Sequence, residues 1–195
     1  MYTYTIEKRT DWANIPVLKL QNELWHREHN VCAQAQLCYD DSALYVRLQA
    51  VEANIRAVHK GLLDPVCEDS CLEFFFSPIA EDGRYFNIEV NPNGAIYLGF
   101  GRNVQGLQRI VAENPAISPV ISRTADGWAV EYAIPFSFIR LFFPAFDPVS
   151  GSAIRANCYK CGDETETPHW LCWAPIPEGT DTFHCPQYFG TMYFA

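Results

Sequence analysis

The strongest constraint in this sequence is a two-residue hydrophobic alternation that restarts between turn residues at intervals of roughly 8 to 12 positions. In Ala43–Val51, Leu44, Val46 and Leu48 fall on one face, and Tyr45, Arg47 and Gln49 on the other. Trp128, Val130, Tyr132 and Ile134 share a face in the same way. Phe86, Ile88 and Val90 alternate with Asn87, Glu89 and Asn91, and Pro92-Asn93-Gly94 then turns the chain into Ala95–Phe100. Successive side chains of a pleated strand point to opposite faces, so these runs specify half-buried strands, the last two joined as a hairpin. Further strands are expected over about 31–38, 70–77, 117–123, 153–161, 169–174 and 189–194. Pro135–Phe143 reads as one short helix stopped by Pro144, and 101–116 and 144–152 read as loops. The fold expected is all-β: a single β-sandwich of mostly antiparallel strands with one or two short helices, forming one domain over 1–195.

The 195 residues suit one domain, and a domain of that size buries about 70% of its unfolded surface without needing a metal or disulfide. With 23 acids against 14 bases the net charge is −9, so nucleic acid and anionic membrane are poor partners. The first residues, Met1 to Arg9, lack the basic start and apolar run of a signal peptide, and no run approaches the length of a membrane span. That points to a cytoplasmic protein, or to a secreted or periplasmic one if a leader has been trimmed. The eight cysteines are far too few for a disulfide scaffold and are expected to be reduced, small buried hydrophobes.

Four groupings carry chemistry. Cys158, Cys161, His169 and Cys172 have the ligand types of a zinc site, although Cys158 and Cys161 would face opposite ways on one strand. Glu73 with Asp69 or Glu89 has the composition of a glycoside hydrolase pair, equally that of solvated acids at strand ends. The cysteines and histidines show no local signature of a nucleophile, and no phosphate-binding loop occurs. The C-terminal third gathers Tyr159, Lys160, Asp163, His169, Trp170, Trp173, Phe183, His184 and Tyr188. Flat rings edged by amide, carboxylate and basic groups suit a sugar ring. Trp170 and Trp173 have odd separation, so on one strand one of them points into the core and the other away.

The order of motifs then resembles a known family. Asp69-Ser70-Cys71-Leu72-Glu73-Phe74-Phe75, Phe86–Gly94, Trp128–Pro135, Asn157–Lys160, Trp173-Ala174-Pro175 and Phe183–Gly190 together look like carbohydrate-binding module family 9, in its stand-alone, family 9-like branch. The resemblance implies a β-sandwich related to the DOMON group, with no catalytic centre, associated with polysaccharide breakdown. Such modules hold the end of an oligosaccharide or glycan between two tryptophans and carry calcium at structural sites. One of these tryptophans corresponds to Phe183 here and the other falls near Val66, so stacking would pass to Phe183 with Trp173 or Tyr159. His184 and Lys160 would be donors, and Glu73, Glu89 and Asn87 the polar contacts. Asp64 and Asp69 would serve a structural role at the strand entrance, or simply cap turns. DOMON relatives that carry haem add a further alternative, with His169 or His184 and Met192 as axial ligands.

Overall fold

The computed structural model describes residues 2–25, 28–112 and 115–195. Positions 113 and 114 of the expected 101–116 loop therefore lie outside the described residues.

The strands form two layers. One layer runs β10 (Val120–Arg123), β11 (Gly127–Pro135), β5 (Ala43–Val51), β4 (Cys32–Tyr39) and β1 (Thr3–Lys8), with β2 (Leu18–Leu20) also on β4. The other runs β1, β14 (Gly190–Phe194), β12 (Ala153–Cys161), β6 (Cys71–Ser77), β7 (Tyr85–Val90), β8 (Ile96–Gly101) and β9 (Gln108–Arg109). β13 (Trp170–Cys172) pairs with the end of β12 that β14 leaves free, and β3 (Asn22–Glu23) pairs with β13. β1 joins the layers: Thr3–Ile6 pair with β14, and Glu7 and Lys8 with β4. Both pairings of β1 are parallel and all the others are antiparallel. The all-β sandwich is as expected, and the helix α1 (Phe136–Phe142) follows β11 directly.

The alternation decides the core. Leu72, Phe74 and Phe76 of β6, Phe86, Ile88 and Val90 of β7, and Ile154, Ala156 and Cys158 of β12 meet Leu37, Val46, Leu48, Trp128 and Val130 of the other layer. Each such side chain, fully buried, contributes roughly 1.5–3 kcal/mol of apolar transfer energy. At the hairpin between β7 and β8, Gly94 takes a φ of 79°, a conformation that costs glycine little.

Asn87, Glu89 and Asn91, the polar half of the β7 alternation, are buried as well. Two-residue periodicity separates the faces of a strand, but the second face of this sheet is also covered, by segments far away in sequence. Gly190 shows how tightly the β12–β14 edge packs. A Cβ there would lie 2.5 Å from Cζ3 of Trp173 and 3.0 Å from the carbonyl of Tyr2. Gly190→Ala is expected to cost about 1–3 kcal/mol by overpacking. Thermal unfolding checks it: an unchanged midpoint would mean that the indole has room to move.

Candidate functional site

The outer face of the second sheet carries the site. Period two sets Cys71, Glu73 and Phe75 of β6, Tyr85, Asn87 and Glu89 of β7, and Tyr159 and Cys161 of β12 on that face. A second apolar cluster forms over it, in which Leu24, Ile176, Phe183 and Phe189 pack onto Phe75, Tyr85 and Tyr159. Tyr159 and Phe183 stack with centroids 4.2 Å apart and planes 17° apart. The Tyr159 hydroxyl also donates to the Phe183 carbonyl over 3.1 Å, which fixes the segment against the sheet.

Beside this cluster lies a cavity of about 200 Å³. Trp25, Trp170 and Phe183 provide its aromatic walls, and Glu73, Glu89 and His184 its main polar groups. The Trp25 ring lies nearly parallel to Phe183 (6.3 Å between centroids, 21°) and edge-on to Trp170 (5.0 Å, 86°). Trp25 Nε1 donates to the Thr180 carbonyl at 3.1 Å, and Trp170 Nε1 to Asp163 Oδ1 at 2.7 Å. Both indole N–H groups are thus spent on the protein. What the rings offer a ligand is apolar face and edge.

The polar groups are short of water. Burial pushes the Glu73 carboxyl well above the ordinary carboxylate range, and the neighbouring Glu89 adds to the shift. Burial raises Glu89 too, against the pull of Asn87, whose amide donates to Glu89 Oε1 at 2.7 Å, and of Arg109. Burial holds the His184 imidazole down to about 4, so it is neutral at physiological pH, with Nδ1 hydrogen-bonded to the Tyr85 hydroxyl at 2.9 Å. Desolvated acids and a neutral imidazole can exchange hydrogen bonds with an uncharged, hydroxylated ligand.

Of the residues singled out from sequence, Phe183, His184, Glu73 and Glu89 line this cavity. Asn87 stands behind Glu89, and Tyr159 stands behind Phe183, fully buried. Lys160 and Trp173 lie elsewhere. Lys160 follows Tyr159 and so points through the sheet, where its ammonium lies 3.2 Å from Glu52 Oε2 and 2.6 Å from His169 Nε2. Trp173 packs in the inter-sheet core, edge-on to Tyr2 at 6.0 Å, so of the two tryptophans of odd separation it is Trp170 that reaches the cavity.

The zinc grouping Cys158, Cys161, His169 and Cys172 is not brought together. Cys158 lies in the inter-sheet core and Cys161 on the opposite face, as strand parity requires. Both ring nitrogens of His169 are already engaged, by Lys160 and by the Thr167 carbonyl, and this removes it as an axial haem ligand too. Met192 is in the inter-sheet core while His184 is on the outer face, so that pair cannot hold a haem between them.

Asp69 does not reach the cavity as a hydrolase acid. Its carboxylate accepts from the backbone N–H groups of Val58 and His59 and from Asn91 Nδ2, and it is paired with Arg56. Burial works against the charge, but these donors hold its pKa below the usual carboxylate value. Asp64 likewise accepts from the N–H groups of Lys60 and Gly61. A calcium site needs oxygen lone pairs turned to the ion, and both carboxylate oxygens of Asp69 are already taken by N–H donors, so Asp69 does not fit calcium. Both fix the loop before β6.

A larger hollow of about 730 Å³ lies on the outer face of the first layer. Its polar groups answer one another: Trp12 Nε1 donates to Glu131 at 2.9 Å, and Arg9 lies over the Tyr45 ring at 3.9 Å. The larger hollow has aromatic residues too (Trp12, Tyr45 and Tyr132), but the smaller cavity is the one where the rings meet the buried acids Glu73 and Glu89. Its Trp25 and Asp181 were not picked out from sequence. Neither lies in a periodic run, and Trp25 is carried to the site by the pairing of β3 with β13 and by the bond of its indole to Thr180.

Comparisons with known proteins bear on the fold and the family. The crystal structure of a candidate carbohydrate-binding protein from Bacteroides uniformis superposes with a TM-score of 0.86 at 26% identity, covering 99% of each chain. A carbohydrate binding module family 9 from Caldicellulosiruptor kristjanssonii in complex with glucose matches 100% of this chain and 96% of its own, with a TM-score of 0.71 and 12% identity. The same module in complex with cellotriose gives 0.70 and 12%, covering 99% and 93%. At that identity the two complexes speak for the fold alone. No match is found among the curated proteins. The sequence profile of carbohydrate-binding family 9 matches residues 5–194, nearly the whole of the two-layer structure, and the chain therefore belongs to carbohydrate-binding family 9.

Proposed function

We propose that this chain is a non-catalytic carbohydrate-binding module that takes one ring of an oligosaccharide or glycan into the cavity between Trp25, Trp170 and Phe183. The observation that carries the reading is the combination of three aromatic rings with Glu73, Glu89 and His184 in one desolvated hollow. Pockets for drug-sized ligands start at about 300 Å³, so a cavity of about 200 Å³ suits a single ring better than the length of a chain. The Caldicellulosiruptor module of the same fold holds glucose and cellotriose, and this supports the ligand class. The net charge of −9 argues against nucleic acid and anionic lipid as alternatives. Association with polysaccharide breakdown belongs to the same reading.

Calorimetric titration with glucose and with cello-, xylo- and manno-oligosaccharides tests it. Saturable one-site binding by at least one series is expected. Its affinity should change little beyond the first two or three sugars, because only the end ring is enclosed. Silence from every series at millimolar concentration would overturn the proposal.

A further inference from the structure

We propose that Cys71, Cys161 and Glu73 form a binding site for a thiophilic divalent cation, zinc, in the floor of the outer-face cavity. The sheet register builds it. Cys71 and Cys161 are directly opposed on the antiparallel strands β6 and β12, and Glu73, two residues along β6, is on the same face. One ligand atom from each of the three lies within 4.8 Å of the other two, and all three residues are buried. Cys161 Sγ is 2.9 Å from Glu73 Oε1. With Zn–S near 2.3 Å and Zn–O near 2.1 Å, tetrahedral ligands stand about 3.6–3.8 Å apart. Cys161 and Glu73 would separate by about 0.7 Å to reach that spacing, and all three groups project from neighbouring strands.

The electrostatics give a separate reason. Among the described residues, Glu73 has the Cys161 thiol as its hydrogen-bond partner and no Lys or Arg in ion-pair contact. The nearest candidates are committed elsewhere: Lys160 pairs with Glu52, and Arg109 donates to the Leu62 carbonyl and lies over the Tyr97 ring at 4.3 Å. A dication held between these three groups would supply the counter-charge that no Lys or Arg gives the buried acid. Cys67, Glu89 and Asp163 line the same cavity.

Ligand softness selects the ion. Two sulfurs and one carboxylate favour zinc over calcium or magnesium, which take oxygen. Each thiol that binds gives up its proton to solvent, and so does the Glu73 carboxyl. The site differs from the Cys158, Cys161, His169 and Cys172 grouping in using the strand opposite β12 instead of neighbours along the chain. The proposal stands apart from saccharide binding, because its readouts need no sugar.

The test uses the full chain, reduced and freed of metal with a chelator, and then titrated with zinc or cobalt. One ion per chain is expected. Cobalt should give a sulfur-to-metal charge-transfer band together with the strong visible bands of a tetrahedral site. The Cys71→Ser/Cys161→Ser double variant should lose the charge-transfer band and bind at least about 100-fold more weakly. Glu73→Gln, which keeps both thiols, should retain the charge-transfer band with altered visible bands, so the proposal stays testable if the double variant does not fold. No binding at 100-fold molar excess of zinc would overturn the site, as would unchanged stoichiometry and spectra in the double variant.

Discussion

Lys160→Met is expected to lower the unfolding free energy by about 3–5 kcal/mol, the cost of removing one partner from a buried ion pair. The Lys160 ammonium is fully buried, and it donates to the Cys161 carbonyl at 2.7 Å besides facing Glu52 and His169. Glu52 is itself 4% exposed and accepts from Ser70 Oγ and, at 3.3 Å, from Trp128 Nε1. With the ammonium gone, that carboxylate would stay in a dry site with two neutral donors. Burial, reinforced by Lys160, holds His169 down to about 4, so beside the intact pair it is neutral and Lys160 is the cation that faces Glu52. Adding Glu52→Gln to Lys160→Met should recover most of the loss, because it removes the stranded charge. Urea unfolding of Lys160→Met, Glu52→Gln and the double variant measures this. A single-variant loss below about 1 kcal/mol would show that the pair is not what holds this end of the sandwich.

Trp170→Ala is expected to weaken saccharide binding at least about 30-fold, or about 2 kcal/mol, while leaving the fold intact. Trp170 is only half-buried, and its indole is held in place by the bond to Asp163. Removing it takes a wall from the cavity without emptying the core. Phe183→Ala is a poorer test of the same site. Phe183 is 8% exposed and stacked on Tyr159, so its truncation carries the cost of a buried aromatic, about 3–5 kcal/mol, and would mix unfolding with lost binding. Calorimetry with the best-bound sugar, alongside thermal unfolding, separates the two effects. Wild-type affinity in a folded Trp170→Ala protein would move the sugar away from this cavity.

Much of the fold was legible in the alternation. Residues 43–51, 71–77, 85–90, 127–135 and 153–161 all form strands within the expected spans or close to them, and Pro144 follows the one helix. β1 was not anticipated, although it joins the two layers. Of its six residues, Thr3–Lys8, only Ile6 is fully buried, too little for a two-residue alternation to show, and the strand is placed by pairing with β14 and β4. The short β2, β3 and β9 have two or three residues each, too few for a period to show.

The candidate site was legible only in part. Phe183, His184, Glu73 and Glu89 could be named because they sit in recognisable motifs, and they line one cavity. Lys160 looked equally suitable, as a cation next to Tyr159. Yet adjacent residues of a strand cannot share a face, and the ammonium went to Glu52. Trp170 and Trp173 illustrate the same limit: parity separates them, and Gly190, which leaves room for an indole, sets which of them enters the core.

What the sequence determined by itself is the set of residues on each face of each strand, because the pleat is local and repeats every two residues. Which faces would be dry was decided by the tertiary structure. Cys71, Glu73, Glu89 and Cys161 became a buried constellation only when residues near 25 and near 183 closed over the sheet from opposite ends of the chain. Burial is a property of that closure. It turns acids that read as strand-end solvation into desolvated ligands, and it turns scattered cysteines into an opposed pair.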